Sequence, residues 1–127
     1  MDKEKIYNIL IELGDAYKTG EFNNIFKYLD DNCVWESQWV LEARNGIEEV
    51  KKYYIEKGKL LKEHDSKCDY SIVELHHFGY SLALVISQKV NDKVNNVLLE
   101  IKFSDEYKIL RIDVCNPEFY SYKKFNK

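Results

Sequence analysis

The period of the apolar positions changes once along the chain, and that change divides it into a helical part and a strand part. Ile6, Ile9, Leu10, Leu13 and Tyr17 recur at helical spacing and predict a first helix over Lys3–Thr19. Asp2 is placed to cap its first turn, and Gly20 to end it in the left-handed region. Gly14, near the apolar side, implies close packing against another backbone. Phe22, Ile25, Phe26 and Leu29 predict a second, short helix over Glu21–Leu29. Asp30-Asp31-Asn32 should then break the chain, because these side chains compete for backbone hydrogen bonds. Cys33–Ser37 reads as a short strand, with Cys33, Trp35 and Ser37 on one face and Val34 and Glu36 on the other. Trp39-Val40-Leu41 follows as a second short strand after a bend. Asn45 and Glu48 have capping-box spacing and open a third helix, whose stripe is Ile47, Val50, Tyr54 and Leu61. Gly58 weakens that helix and predicts a kink or an end there.

From Lys67 onward the period is two. Strands are expected at about 67–78, 81–90, 95–104 and 108–115. Gly79, Asn91-Asp92-Lys93 and Ser104-Asp105-Glu106 supply the turns, so neighbouring strands should run antiparallel as a meander. Val97, Leu99, Ile101 and Phe103 alternate with Leu98, Glu100 and Lys102, which gives one apolar and one mixed face. Pro117 closes the last strand, and residues 118–127 form a tail rich in aromatics and lysine. Four aromatics in this tail argue against a frayed end and for capping the molecule or binding a partner. Helices first and strands afterwards is the α+β pattern: three helices packed on a strongly curved antiparallel sheet of about four long strands plus one or two short ones.

Composition supports one domain over residues 1–127. Hydrophobic residues make up 45% and aromatics 14%, enough to fill a core. A net charge of −3 with no clustered basic face argues against nucleic-acid binding. The longest apolar run, Leu82–Ile86, is far too short for a membrane span, so a soluble, cytoplasmic protein is expected. Cys33, Cys68 and Cys115 contain no close pair and read as reduced, buried small hydrophobes.

Three segments carry a family resemblance: Tyr17-Lys-Thr-Gly-Glu-Phe between the first two helices, Leu29-Asp-Asp-Asn-Cys-Val-Trp-Glu-Ser, and Asn45-Gly-Ile-Glu-Glu-Val. In this order they resemble the NTF2-like (SnoaL-like) superfamily of cone-shaped α+β barrels. Trp35-Glu-Ser-Gln-Trp-Val also looks like the same stretch of uncharacterised bacterial members. The resemblance implies a cavity between helices and concave sheet, and often a homodimer through the outer sheet face. It does not fix function, since such proteins include isomerases, cyclases, dehydratases, epoxide hydrolases and simple binders. The acid/base set of the ketosteroid isomerases is not matched. An ungapped placement puts their base on Ser37, their tyrosine on Leu13 and their protonated acid near Leu99. Serine without a base cannot take a carbon-bound proton at neutral pH, so those roles are not carried across.

The resemblance places Trp35, Ser37 and Trp39 at its cavity wall, and with Tyr17 and Tyr54 they make the candidate ligand wall: flat apolar groups with a hydroxyl to orient a polar atom. A core-filling role competes with this reading for both tryptophans. Acid/base candidates are Glu36, if it faces inward, and either His76 or His77, which a strand sends to opposite faces. Tyr70 and Glu74 share the parity of His76. Glu100, Arg111 and Asp113 form either a charged pocket floor or a salt-bridged outer face. No zinc, phosphate-loop or dinucleotide motif occurs, and no cofactor or metal is expected. Three readings follow: a binder of a small apolar or aromatic molecule, an acid/base enzyme of the cyclase, dehydratase or isomerase type, and a dimeric interaction module.

Overall fold

The computed structural model describes residues 2–64, 66–76 and 80–125. Helix α1 spans Lys3–Thr19, and a 3-10 helix covers Asn23–Tyr28. Strands β1 (Leu29–Ser37) and β2 (Val40–Asn45) lead into helix α2 (Ile47–Glu63). Strands β3 (Lys67–His76), β4 (Tyr80–Val90), β5 (Lys93–Phe103) and β6 (Ile109–Cys115) follow, and a short β7 (Tyr122–Lys124) ends the described chain. The curved, unclosed sheet has seven strands in the order β2-β1-β6-β5-β4-β3-β7. All pairs are antiparallel except β1 with β6, which the intervening helix allows to run parallel.

The local signals explain most of this. Asp2 accepts the Glu4 N–H at 2.9 Å, and Gly20 closes α1 at φ 78°. The β4–β5 hairpin is tight: Val90 pairs with Lys93, and Asn91 and Asp92 both take positive φ, the twist that a two-residue hairpin requires. The Gly79 turn lies outside the described residues.

Several expectations are corrected. The second helix is a 3-10 turn, because Leu29 is already taken by β1. Its predicted core side chains Phe22, Ile25 and Leu29 are buried all the same. Asp30-Asp31-Asn32 does not break the chain. Asp30 does take the Asn32 N–H (2.9 Å), but Leu29 and Cys33 are anchored in the core on either side, so the result is an irregular strand register. Asn45 does not cap α2. It stays in β2, and Gly46, held at φ 87° with its N–H on the Cys33 carbonyl, makes the turn into the helix. Glu49 rather than Glu48 reaches back, accepting the Asn45 N–H at 3.3 Å. Pro117 opens a 3-10 turn after which the chain returns to the sheet, so the tail is not a loose end. Its Phe125 ring packs on Tyr7 at 5.6 Å.

The sheet buries both faces unequally. Its concave face, with α1 and α2, forms the main core around Leu10, Leu13, Tyr54, Leu84, Leu99 and Ile109. Its outer face holds a smaller cluster of Val73, Leu75, Ala83, Val85 and Leu98, against which the tail residue Tyr120 packs. Two glycines set how close the helices come. Gly58 does not kink or end α2. It is the point where α2 meets the end of α1, and a Cβ there would collide with the Gly20 carbonyl oxygen. Gly14 faces the Tyr70 ring, not a backbone: an added Cβ would sit 2.5 Å from Tyr70 Cδ2. The Tyr70 hydroxyl then donates to Asp15 at 2.9 Å.

Gly58→Ala sets two effects against each other. Helix propensity favours Ala by about 1 kcal/mol, while overpacking against an unyielding backbone carbonyl costs roughly 1–3 kcal/mol. The clash should win, and urea denaturation should show net destabilisation. An Ala at exposed Lys59, a position free of that contact, should be close to neutral in the same assay.

Candidate functional site

Where the helices meet the concave sheet, five rings form a continuous chain. Trp35 on β1 stacks on Tyr53 with centroids 4.0 Å apart, and Tyr53 meets Tyr54 edge-on at 5.0 Å. Tyr54 lies 4.8 Å from Phe22, which meets Tyr17 at 5.1 Å, and Tyr17 returns to Tyr54 at 6.1 Å. Three of the five expected wall residues, Tyr17, Trp35 and Tyr54, are thus brought together. They are held by α1, β1 and α2, and all three are buried. Tyr53 and Phe22 complete the group. Residue spacing makes Phe22 the core of a short helix and Tyr53 a flank of the α2 stripe, and neither signal places them beside Trp35.

The other two wall residues lie elsewhere. Trp39 sits in the β1–β2 turn with 55% of its surface exposed, so it does not line the interior. Its backbone N–H donates to Ser37 Oγ at 3.3 Å, which ties the half-buried hydroxyl to the turn. The bend that the sequence places before Trp39 is what carries it away from the core.

The ring cluster contains four polar atoms, the Tyr17, Tyr53 and Tyr54 hydroxyls and Trp35 Nε1. The Tyr17 hydroxyl donates to the Tyr54 hydroxyl at 3.4 Å. Trp35 Nε1 lies close enough to Tyr54 to favour its ionised form, yet makes no hydrogen bond. Among the described residues it is the buried side-chain polar atom without a partner. Burial raises the pKa of Tyr17 and of Tyr54 well above the usual tyrosine range. It pushes Tyr53 up to about 12, against the opposing pull of Arg44. All three phenols are therefore neutral at physiological pH. The cluster presents O–H and N–H donors and no charge, which suits an uncharged acceptor and gives no general base.

Two clefts lead toward the rings. One, of about 180 Å³, lies between Gly20–Asn23 and α2 and reaches Phe22 and Tyr54. The other, of about 310 Å³, lies between β2 and α2, with Tyr53 lining it and Arg44 at its side. The Arg44 guanidinium stands 5.9 Å from the Trp35 ring, so Trp35 is covered by Tyr53 and approached by a cation.

The acid/base candidates do not join this cluster. Glu36 faces outward and is paired with Arg111, which also binds Asp113 through Nε at 3.0 Å. Those ion pairs, with Glu36 first, raise the Arg111 pKa. Glu36, Asp113 and Glu100 stand side by side across β1, β6 and β5, so this is a salt-bridged outer face. Tyr120 covers it, donating toward Glu100 and Cys115, each at 3.2 Å. Glu74 is engaged by Lys3 of α1 at 2.9 Å, and that bond lowers its pKa. His76 is exposed, with its backbone N–H on the Ser121 carbonyl at 3.0 Å. His77 lies outside the described residues. Among the described residues no group of three or more His, Cys, Asp or Glu could hold a metal ion, and no helix is long and apolar enough to cross a membrane.

No family model and no curated protein sequence matches this chain. Its structure does match solved ones. The epoxide hydrolase/cyclase-like enzyme SalBIII, of polyether salinomycin pyran-ring formation, is 15% identical with a TM-score of 0.69, covering 98% of each chain. An NTF2-like protein of unknown function from Shewanella oneidensis is 15% identical with a TM-score of 0.66, over 91% of this chain and all of its own. A steroid delta-isomerase from Pseudomonas aeruginosa is 16% identical with a TM-score of 0.59, over 86% of this chain and 77% of its own. The chain therefore has the NTF2-like fold.

The buried phenols set an alkaline limit to stability. Their folded pKa values lie above the unfolded value near 10, so unfolding releases protons above that pH. Their contribution is complete below about pH 10 and is lost as pH rises, by about 1.4 kcal/mol per pH unit for each tyrosine that ionises only on unfolding. Phenolate absorbance should show these tyrosines titrating together with the loss of tertiary circular dichroism. Tyr54→Phe should reduce the steepness of that loss.

Proposed function

We propose that the protein binds a small planar aromatic molecule bearing an uncharged hydrogen-bond acceptor, between α2 and the concave face of the sheet. The observation that supports this most is the buried, unpartnered Trp35 N–H beside the Tyr17–Tyr54 hydroxyl pair. An orphaned buried donor costs roughly 1–3 kcal/mol, and a ligand carbonyl would recover that loss. Tyr53 is the movable member of the ring chain. It is partly exposed and lines the β2–α2 cleft, whereas Trp35 and Tyr54 are fully enclosed. In this reading an incoming ring displaces Tyr53 and meets Trp35 at its edge, with the carbonyl in the plane of the indole N–H, so an edge contact of roughly 0.5–1.5 kcal/mol replaces the stack.

An acid/base enzyme is not favoured. Solved structures with this fold include proteins named for catalysis and one of unknown function, so the fold admits both. The residues support binding: Glu36 and Glu74 are tied into ion pairs away from the ring cluster, and His76 is exposed.

Calorimetric titration with acetonaphthone and with ethylnaphthalene, its counterpart without a carbonyl, tests the reading. Acetonaphthone should bind about tenfold more tightly, the value of one recovered hydrogen bond of about 1.4 kcal/mol. Trp35→Phe should abolish that preference and leave ethylnaphthalene binding within a few fold. Equal affinity for the two probes in the unaltered protein, or binding of neither, would overturn it.

A further inference from the structure

The charges in the β2–α2 cleft bear on what the proposed ligand carries at its outer end. Arg44 lies directly opposite Trp35 in the β1–β2 pairing, so the two side chains share the concave face. This puts the guanidinium 5.9 Å from the Trp35 ring and in the wall of the cleft that Tyr53 lines. Arg44 is half-buried. It donates from Nη1 to the Glu42 carbonyl at 3.1 Å, and among the described residues no carboxylate pairs with it. A guanidinium holds five N–H donors in a planar fork shaped for a carboxylate, so most of this fork is not committed to a neighbour. Glu42, Glu49, Glu56 and Lys52 line the same cleft, and by count its charges favour a cation. Those four side chains are exposed, however, and water and salt screen their fields. Glu49 is also turned to the Asn45 N–H, which it accepts at 3.3 Å. Burial raises the Tyr53 pKa, and of the cleft's charges Arg44 alone pulls against that rise. The charge that reaches the rings is therefore positive.

We infer that the ligand is an aromatic acid, whose carbonyl reaches the Trp35 N–H and whose carboxylate, on the far side of the ring, pairs with Arg44 in the β2–α2 cleft. This rests on the binding reading above and names the class of ligand within it. Arg44 is then the residue that sets specificity. A neutral ring gains nothing from its fork, and an ammonium on the ring is repelled by it. The carboxylate stays in the cleft, where its remaining lone pairs face water, so the pairing does not carry the cost of a fully buried charge.

Calorimetric titration with acetylnaphthoic acid, its neutral methyl ester and the aminomethyl counterpart tests this, with acetonaphthone as the reference. The acid should bind about fivefold more tightly than the ester at low salt, the upper end of what a partly exposed ion pair yields. The aminomethyl compound should bind more weakly than the ester. Added salt should narrow the gap between acid and ester. Arg44→Gln should bring the acid and ester affinities together. Arg44→Lys should keep part of the preference, because it keeps the charge and loses the fork. Lys52→Gln removes an exposed cation from the same cleft and should leave the acid-to-ester ratio within about twofold. If Arg44→Gln does not fold, the salt dependence and Arg44→Lys carry the test. Equal binding of acid and ester by the unaltered protein overturns the inference. So does tighter binding of the aminomethyl compound, a preference that survives Arg44→Gln, or one lost equally in Lys52→Gln. Acetonaphthone bound with its carbonyl preference intact would then leave the binding reading standing, whereas binding of no probe would overturn both.

Discussion

A sheet curved around two helices encloses a space that side chains must fill, and here that space is filled around the Tyr54 ring. Tyr54 touches Tyr17, Phe22 and Tyr53 and has no solvent exposure, so α1, the 3-10 turn and α2 are all referred to one aromatic side chain. Trp35 extends the chain of rings to β1, and through β1 to the parallel pairing with β6. The position of each layer is thus fixed by ring-on-ring contact, and the ring cluster is apolar matter with four polar atoms in it. Among them the Trp35 N–H matters most, because the packing that excludes water also leaves it without a partner.

The glycines make this arrangement possible. Tyr54 reaches Tyr17 and Phe22 only because α2 comes down onto the end of α1, where Gly58 lies against the Gly20 carbonyl. Gly20 itself is in the left-handed region and turns the chain toward Phe22. Gly46 plays the same part at the other end of α2, turning the chain into the helix from β2, the neighbour of the strand that carries Trp35. Three residues without side chains thus place four of the five rings. The glycine positions are cheap in the folded state and costly for any other residue, which is why a single methyl group at Gly58 matters more than its size suggests.

Much of this was legible in the residue pattern. The α1 stripe with Asp2 and Gly20 at its ends, the parity of Cys33 and Trp35, and the four later strands all follow from local signals. The resemblance carried by Asn32–Val50 and its flanks led to the same NTF2-like fold. What was not legible depends on tertiary context. Asp30–Asn32 looked like a break because its side chains do bond to the local backbone; only the anchoring of Leu29 and Cys33 keeps the strand going. Asn45 had the spacing of a cap but was held by the sheet. Tyr122–Lys124 has no strand signal of its own and pairs because the β3 edge is there to receive it. At the candidate site, Tyr17, Trp35 and Tyr54 follow from aromatic type and the family resemblance. The resemblance also puts Trp39 in the wall, and the β1–β2 turn excludes it. Tyr53 and the isolation of the Trp35 N–H could not be read from the sequence, because both depend on which ring lies on which.

The two tryptophans provide an internal comparison for the central claim that Trp35 holds a buried donor without a partner. Their indole N–H groups give two resonances, and hydrogen exchange at each can be followed by nuclear magnetic resonance. The account predicts slow exchange for Trp35 and fast exchange for the exposed Trp39, with the Trp35 resonance alone moving downfield when acetonaphthone is added. Exchange of the Trp35 proton as fast as that of Trp39, or a Trp35 resonance unmoved by a saturating carbonyl ligand, would contradict it.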